Sequence, residues 1–143
     1  MVFHQEQIKQ IIPHREEFLL IDEITQMDSL KSATGIKYIK ADDWFFKGHF
    51  PQYPVMPGVL ILESLAQVFG CLILSQPEYQ GKLGFFTGVK NAKFKGQVKP
   101  GDKLVLKVEV TALKSIFGVC EANAYVNDKL VCSAELSFAI GSK

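Results

Sequence analysis

The sequence is short of the features that mark several large classes of protein. Its three cysteines, Cys71, Cys120 and Cys132, make no Cys-x-x-Cys pair, and each sits in an apolar run. They read as buried thiols of a reducing compartment rather than a disulfide framework, and they suggest no metal site. Charge of one sign is not in excess: 16 Lys and Arg stand against 15 Asp and Glu, a formal net charge of +1. That balance offers nucleic acid no global attraction. No uninterrupted apolar run reaches the roughly 18 residues that suggest a membrane span. Residues 1–13 lack the basic start and apolar stretch of a secretory signal, which makes a cytoplasmic location the default expectation. No repeat, linker or low-complexity segment divides the chain. What is there is 143 residues, 48% of them hydrophobic, so a single domain over 1–143 can bury a core of ordinary size.

The most apolar stretch organises the rest. Between Val59 and Leu74 only Glu63, Ser64, Gln67 and Gly70 interrupt a run of Val, Leu, Ile, Phe, Ala and Cys. Pro57 suits a first helical position, and Pro77 bars continuation past Gln76. The expectation is a buried helix of about five turns, apolar nearly all round. Glu63 is its anomaly. A carboxylate in an apolar setting must be paired, hydrogen-bonded or neutral, and a neutral carboxyl can give a proton to a leaving group. The bland alternative is a solvent-facing edge or a structural cation. Gln67, one turn on, is on the same face and within reach of Glu63 or a ligand.

Ahead of the helix is Gly48-His49-Phe50-Pro51, with Pro54 and Pro57 following. The prolines stiffen the loop, and Gly48 admits close backbone approach. A histidine held in such a loop suits proton transfer near neutrality. Trp44-Phe45-Phe46 reads as a core plug or a pocket floor.

The remaining elements follow from pattern. Residues 6–12 suit a short helix stopped by Pro13. Pro13-His14-Arg15 is a connector whose His14 and Arg15 serve either a site or an anchor for the N-terminus. Strands are expected over 18–27, 32–39, 83–94, 103–113, 117–126 and 129–140, with Asn127-Asp128 as a two-residue hairpin turn. One all-apolar helix and about six half-apolar strands imply an α+β fold, a curved antiparallel sheet wrapped around the helix. A single sheet layer leaves edges and part of the helix uncovered, so a twofold homodimer is the expected minimum assembly.

These residues resemble the beta-hydroxyacyl-[acyl-carrier-protein] dehydratase family of bacterial fatty acid synthesis, the FabZ type. The resemblance is carried by Ile12-Pro13-His14-Arg15, residues 18–22, Gly48-His49-Phe50-Pro51, residues 54–61, Glu63, Ala66-Gln67, residues 91–95 and residues 98–102. It spans nearly the whole chain and is most specific from Gly48 to Gln67. Glu16-Glu17 and Gly96-Gln97 depart from the family's usual residues. The resemblance implies the hotdog fold, with one long central helix. It also implies dehydration of a (3R)-3-hydroxyacyl thioester carried by acyl carrier protein to the trans-2-enoyl thioester, with no cofactor. The two catalytic side chains would come from different subunits, in a hexamer of three dimers.

On that reading His49 removes the C2 proton and Glu63 protonates the departing C3 hydroxyl. The Gly58 amide, at a helix N-terminus, polarises the thioester carbonyl, and Gln67 supports the acid. Val59, Leu62, Phe85 and Phe86 are candidate walls of an apolar acyl tunnel. Lys90, Lys93, Lys95, Lys99 and Lys103 concentrate positive charge suited to an acidic carrier protein. Rival readings are a dehydratase that also shifts the double bond from trans-2 to cis-3, a hotdog thioesterase, and a non-enzymatic acyl-binding module. No membrane or nucleic-acid partner is expected.

Overall fold

The computed structural model describes residues 3–142. In chain order its elements are β1 (Phe3–His4), α1 (Gln5–Ile11), β2 (Glu23–Asp28), β3 (Ser32–Tyr38), α2 (Gly58–Leu74), β4 (Leu83–Phe94), β5 (Lys103–Lys114), β6 (Phe117–Val126) and β7 (Lys129–Gly141), with 3₁₀ turns at Trp44–Lys47 and Pro77–Tyr79. The strands form one sheet in the order β1-β2-β3-β5-β6-β7-β4. Every neighbouring pair is antiparallel. The α+β hotdog arrangement is the one expected, with α2 as its central helix.

Three details differ from the sequence reading. Among the described residues the sheet has seven strands, not about six. The addition is β1, two residues paired as Phe3↔Ile24 and His4↔Glu23, too short to show an alternating pattern. Residues 18–22 lie outside the ladder, Phe18 closing a turn whose amide donates to the Arg15 carbonyl at 2.7 Å, so β2 begins only at Glu23. The backbone at Phe18 and Leu20 bonds instead to the side chain of Gln67. Pro57 is not the first helical residue but the N-cap, with φ −56° and ψ 134°.

The helix forms where expected because its apolar side chains have a sheet to enter. Leu65, Val68, Phe69, Leu72 and Ile73 are at most 1% exposed, and burying each such side chain contributes about 1.5–3 kcal/mol. Ser64 is tolerated because its Oγ donates to the Leu60 carbonyl at 2.9 Å. Small residues on the strands make room for the helix. A Cβ on Gly35 of β3 would lie 2.5 Å from Val68 Cγ2. The Asn127-Asp128 turn adopts the positive φ angles, 51° and 64°, of a tight hairpin. Burial pushes the Cys120 and Cys132 thiols up to about 12 and about 11, and Cys71 upward as well. These cysteines are free and buried, and so unreactive.

Two surfaces are left uncovered. Strand β4 is a twelve-residue sheet edge, and Phe85, Phe86, Val89 and Phe94 on it are 43–53% exposed. On α2, Val59 is 66% exposed, and Leu62, Glu63 and Ala66, on the same side, are only half-buried. Among the described residues no helix is long and apolar enough to cross a membrane.

Candidate active site

His49 is fixed by its own loop. Its Nδ1 lies 2.8 Å from the Val55 carbonyl, and the Val55 amide donates back to the His49 carbonyl at 3.0 Å. A carbonyl only accepts, so Nδ1 carries the ring proton and Nε2 keeps its lone pair. The imidazole is thereby oriented as a base. Phe50 stacks against it with ring centroids 4.1 Å apart. The loop is tied to the sheet side of the molecule by the Met56 amide, which donates to the Val98 carbonyl at 2.8 Å.

The start of α2 faces the same place. His49, Val55, Met56, Gly58, Val59, Ile61, Phe94, Gly96 and Gln97 line one apolar groove. Among the described residues no acceptor meets the Gly58 amide, as the geometry of a helix N-terminus requires. Gly58 cannot carry a side chain here, since a Cβ would lie 2.6 Å from Cδ1 of the Phe94 ring. The groove therefore pairs an oriented base with a free backbone donor.

Glu63 lies in a different cavity, of about 90 Å³, whose polar end holds His14, Glu63 and Gln67 and whose apolar walls include Phe69, Leu74, Phe86 and Phe138. Its carboxylate is not in a purely apolar setting. Oε2 accepts from Gln67 Nε2 at 3.0 Å and lies 3.3 Å from His14 Nε2. Gln67 is itself 1% exposed and fully used. Its Oε1 accepts from the Leu20 amide at 2.8 Å, and its Nε2 also donates to the Phe18 carbonyl at 2.8 Å. The residue expected to support the acid also clamps the 18–20 segment to the helix. Gln67→Leu strands a buried amide and a part-buried carbonyl, the buried one costing about 1–3 kcal/mol and the other less. Urea unfolding should show the variant destabilised by about 2–4 kcal/mol on that count, whereas an unchanged midpoint would mean the clamp contributes nothing.

The other sequence-predicted residues separate. Phe86 lines the Glu63 cavity and Val59 the His49 groove. Phe85, paired with Ala139, is half-exposed and lines neither, and Leu62 packs against the core. Phe45 and Phe46 are core, while Trp44 is 44% exposed and donates its indole N–H to the Glu17 carbonyl. Lys90 stands opposite Glu135, and Lys93 and Lys95 share a shallow outer groove with Glu121 and Glu135. Lys99 lies 4.6 Å over the Tyr53 ring, and Tyr53 donates to Gln97 at the edge of the His49 groove. The sequence reading left His14 open between a site and an anchor for the N-terminus; the structure puts it against Glu63. A family model described as a FabA-like domain matches residues 12–135, a span that includes the groove, the helix and the cavity's lining up to Phe86. The chain belongs to the FabA-like dehydratase family.

Its curated relatives narrow that. It is 53% identical over 136 residues to the 3-hydroxyacyl-[acyl-carrier-protein] dehydratase FabZ of Bacillus velezensis, covering 95% of this chain and 96% of the relative. It is 52% identical over 138 residues to the enzyme of that name from Bacillus cereus, covering 96% of each. Among solved structures it superposes on the dehydratase heterocomplex ApeI:P of Xenorhabdus doucetiae with a TM-score of 0.78 at 15% identity, over 95% of this chain and 91% of that one. A sigma28-regulated virulence protein of Campylobacter jejuni superposes with a TM-score of 0.69, also at 15% identity, over 96% and 90%. Those two likenesses bear on the fold alone.

Proposed function

We propose that this chain is a FabZ-type dehydratase, converting a (3R)-3-hydroxyacyl-[acyl-carrier-protein] to the trans-2-enoyl thioester in fatty acid biosynthesis. The observation that carries the reading is the His49 ring. It is held by Val55 with its basic nitrogen free, in the same groove as the unbonded Gly58 amide. The likeness to FabZ enzymes over nearly the full chain supports it.

The chemistry follows from those groups. Loss of a C2 proton builds negative charge on the thioester oxygen, which the Gly58 amide stabilises. His49 Nε2 takes the proton. The C2–H electron pair becomes the C2=C3 bond as the C3–O bond breaks, and Glu63 gives its proton to the leaving oxygen, releasing water. The imidazolium and carboxylate then reset by exchanging a proton with solvent.

Within one protomer His49 and Glu63 line separate cavities. A twofold dimer joined along β4 covers its exposed Phe and Val side chains and the open face of α2, and brings one subunit's His49 toward the other's Glu63. Three such dimers make the hexamer we infer. The acyl chain runs from this crevice into the cavity walled by Phe86, Phe69 and Phe138. Three free, buried thiols suit the cytoplasm.

The carrier protein approaches the His49 groove from the side of Lys95 and Lys99, which flank Gly96 and Gln97. Lys95→Glu with Lys99→Glu raises KM for carrier-linked substrate by about tenfold, from the loss of attraction to an acidic partner, and leaves a short thioester analogue unaffected. Equal effects on both substrates would place docking elsewhere. The reading as a whole is tested by incubating the protein with a 3-hydroxyacyl carrier thioester and following product mass and double-bond position. A trans-2-enoyl product supports it, and free acid or no turnover overturns it.

A further inference from the structure

His14 takes no part in the chemistry written above, yet it stands against the acid. Its Nε2 lies 3.3 Å from Glu63 Oε2. Its other nitrogen, Nδ1, is buried and among the described residues has no hydrogen-bond partner. A ring proton belongs on Nε2, where it meets an oxygen of the Glu63 carboxyl.

Gln67 acts on the same oxygen, and its orientation is not in doubt. The Leu20 amide requires an acceptor and the Phe18 carbonyl a donor, so Oε1 and Nε2 are assigned by their partners. It is Nε2 that reaches Glu63 Oε2. Oε2 thus faces two donors. Among the described residues no donor reaches Oε1.

His14 is itself held in place. The Arg15 guanidinium donates to the carbonyls of Ile12 at 3.2 Å, His14 at 2.7 Å and Lys9 at 3.2 Å. The end of α1 and the connector are thereby locked together, with the imidazole carried at the tip of a fixed turn. The ring of Phe18 lies nearly parallel to it, at 19° with centroids 6.3 Å apart.

We propose that His14 is a positioning residue for Glu63: as a donor through Nε2 it occupies Oε2 together with Gln67, and so restricts the transferable proton to Oε1. A carboxyl can carry its proton on either oxygen. Two donors on Oε2 leave no room for a third hydrogen there, so the acid is presented with one oxygen and in one direction. This rests on Glu63 being the acid of the proposed dehydration.

The test compares His14→Gln with His14→Asn. A Gln amide nitrogen is about as far along the side chain as the imidazole Nε2, while an Asn amide stops at the depth of Nδ1. Both variants are polar and neither titrates, so they differ in reach alone. Activity is measured with a short 3-hydroxyacyl thioester, and folding is followed by thermal unfolding. His14→Gln should keep kcat within about threefold of wild type, and His14→Asn should lose about ten- to a hundredfold in kcat with KM unchanged, the scale of a misdirected catalytic group. In a Glu63→Gln background the Asn substitution should add no further loss, because the group it directs is gone.

Equal kcat for the two variants, or a loss confined to KM, overturns the proposal. So does an Asn penalty that persists undiminished without the Glu63 carboxyl. If His14→Asn unfolds, the Gln variant decides alone: wild-type kcat supports the donor role and a hundredfold loss contradicts it. The dehydration reading fails separately, through a wild-type protein that does not turn the thioester over, or a Glu63→Gln variant that is fully active.

Discussion

Glu63→Gln should leave the fold intact and lower kcat for dehydration by about 10²–10⁴, the usual contribution of one general acid. The fold survives because the substitution is nearly isosteric and the new amide oxygen still accepts from Gln67 Nε2 and His14 Nε2, the two donors that Oε2 now meets. What disappears is the proton. An amide cannot protonate a departing hydroxyl, and hydroxide is a poor leaving group. The expected loss corresponds to about 3–5 kcal/mol of transition-state stabilisation at 1.36 kcal/mol per decade. A steady-state assay that follows the enoyl thioester reads it directly. A kcat within a few fold of wild type would remove Glu63 from the reaction.

His49→Asn is the matching experiment on the other face of the substrate. Asn places its amide N–H where Nδ1–H is now, so the bond to the Val55 carbonyl and the loop geometry persist. Nε2, the nitrogen with the free lone pair, is deleted. The expected loss is again about 10²–10⁴ in kcat, with the Gly58 amide still able to bind the thioester. Exchange of the C2 proton with solvent deuterium should stop in the same variant, because abstraction precedes or accompanies every later event. Deuterium exchange at the wild-type rate would assign the base to another residue.

Much of this was legible in the chain before any coordinates. A helix apolar on all sides has to be wrapped, and the alternating strands supply the wrapping. The prolines around His49 and the lone carboxylate of the helix single out by local pattern both groups of the proposed acid–base pair. The lost detail was of three kinds. Residues 18–22 look like the start of a strand because an apolar run does not say who its backbone partner is, and that partner is the side chain of Gln67. His14 stays open between a site and an anchor because only folding carries it to Glu63. The lysines are close together in sequence, but the bulge between Lys90 and Lys93 and the carboxylates of neighbouring strands divide them. Sequence proximity overstates a charge patch when strands interleave it with acids from elsewhere.

The account stands or falls on whether one active site takes its base and its acid from two chains. Coexpressing His49→Asn and Glu63→Gln subunits tests this directly. Random pairing makes half of the dimers mixed, and each mixed dimer has one site with both groups intact, so the mixture should recover about a quarter of wild-type activity from two inactive parents. A mixture as inactive as its parents, with subunit exchange verified by tag pull-down, would mean that the base and the acid do not meet across subunits.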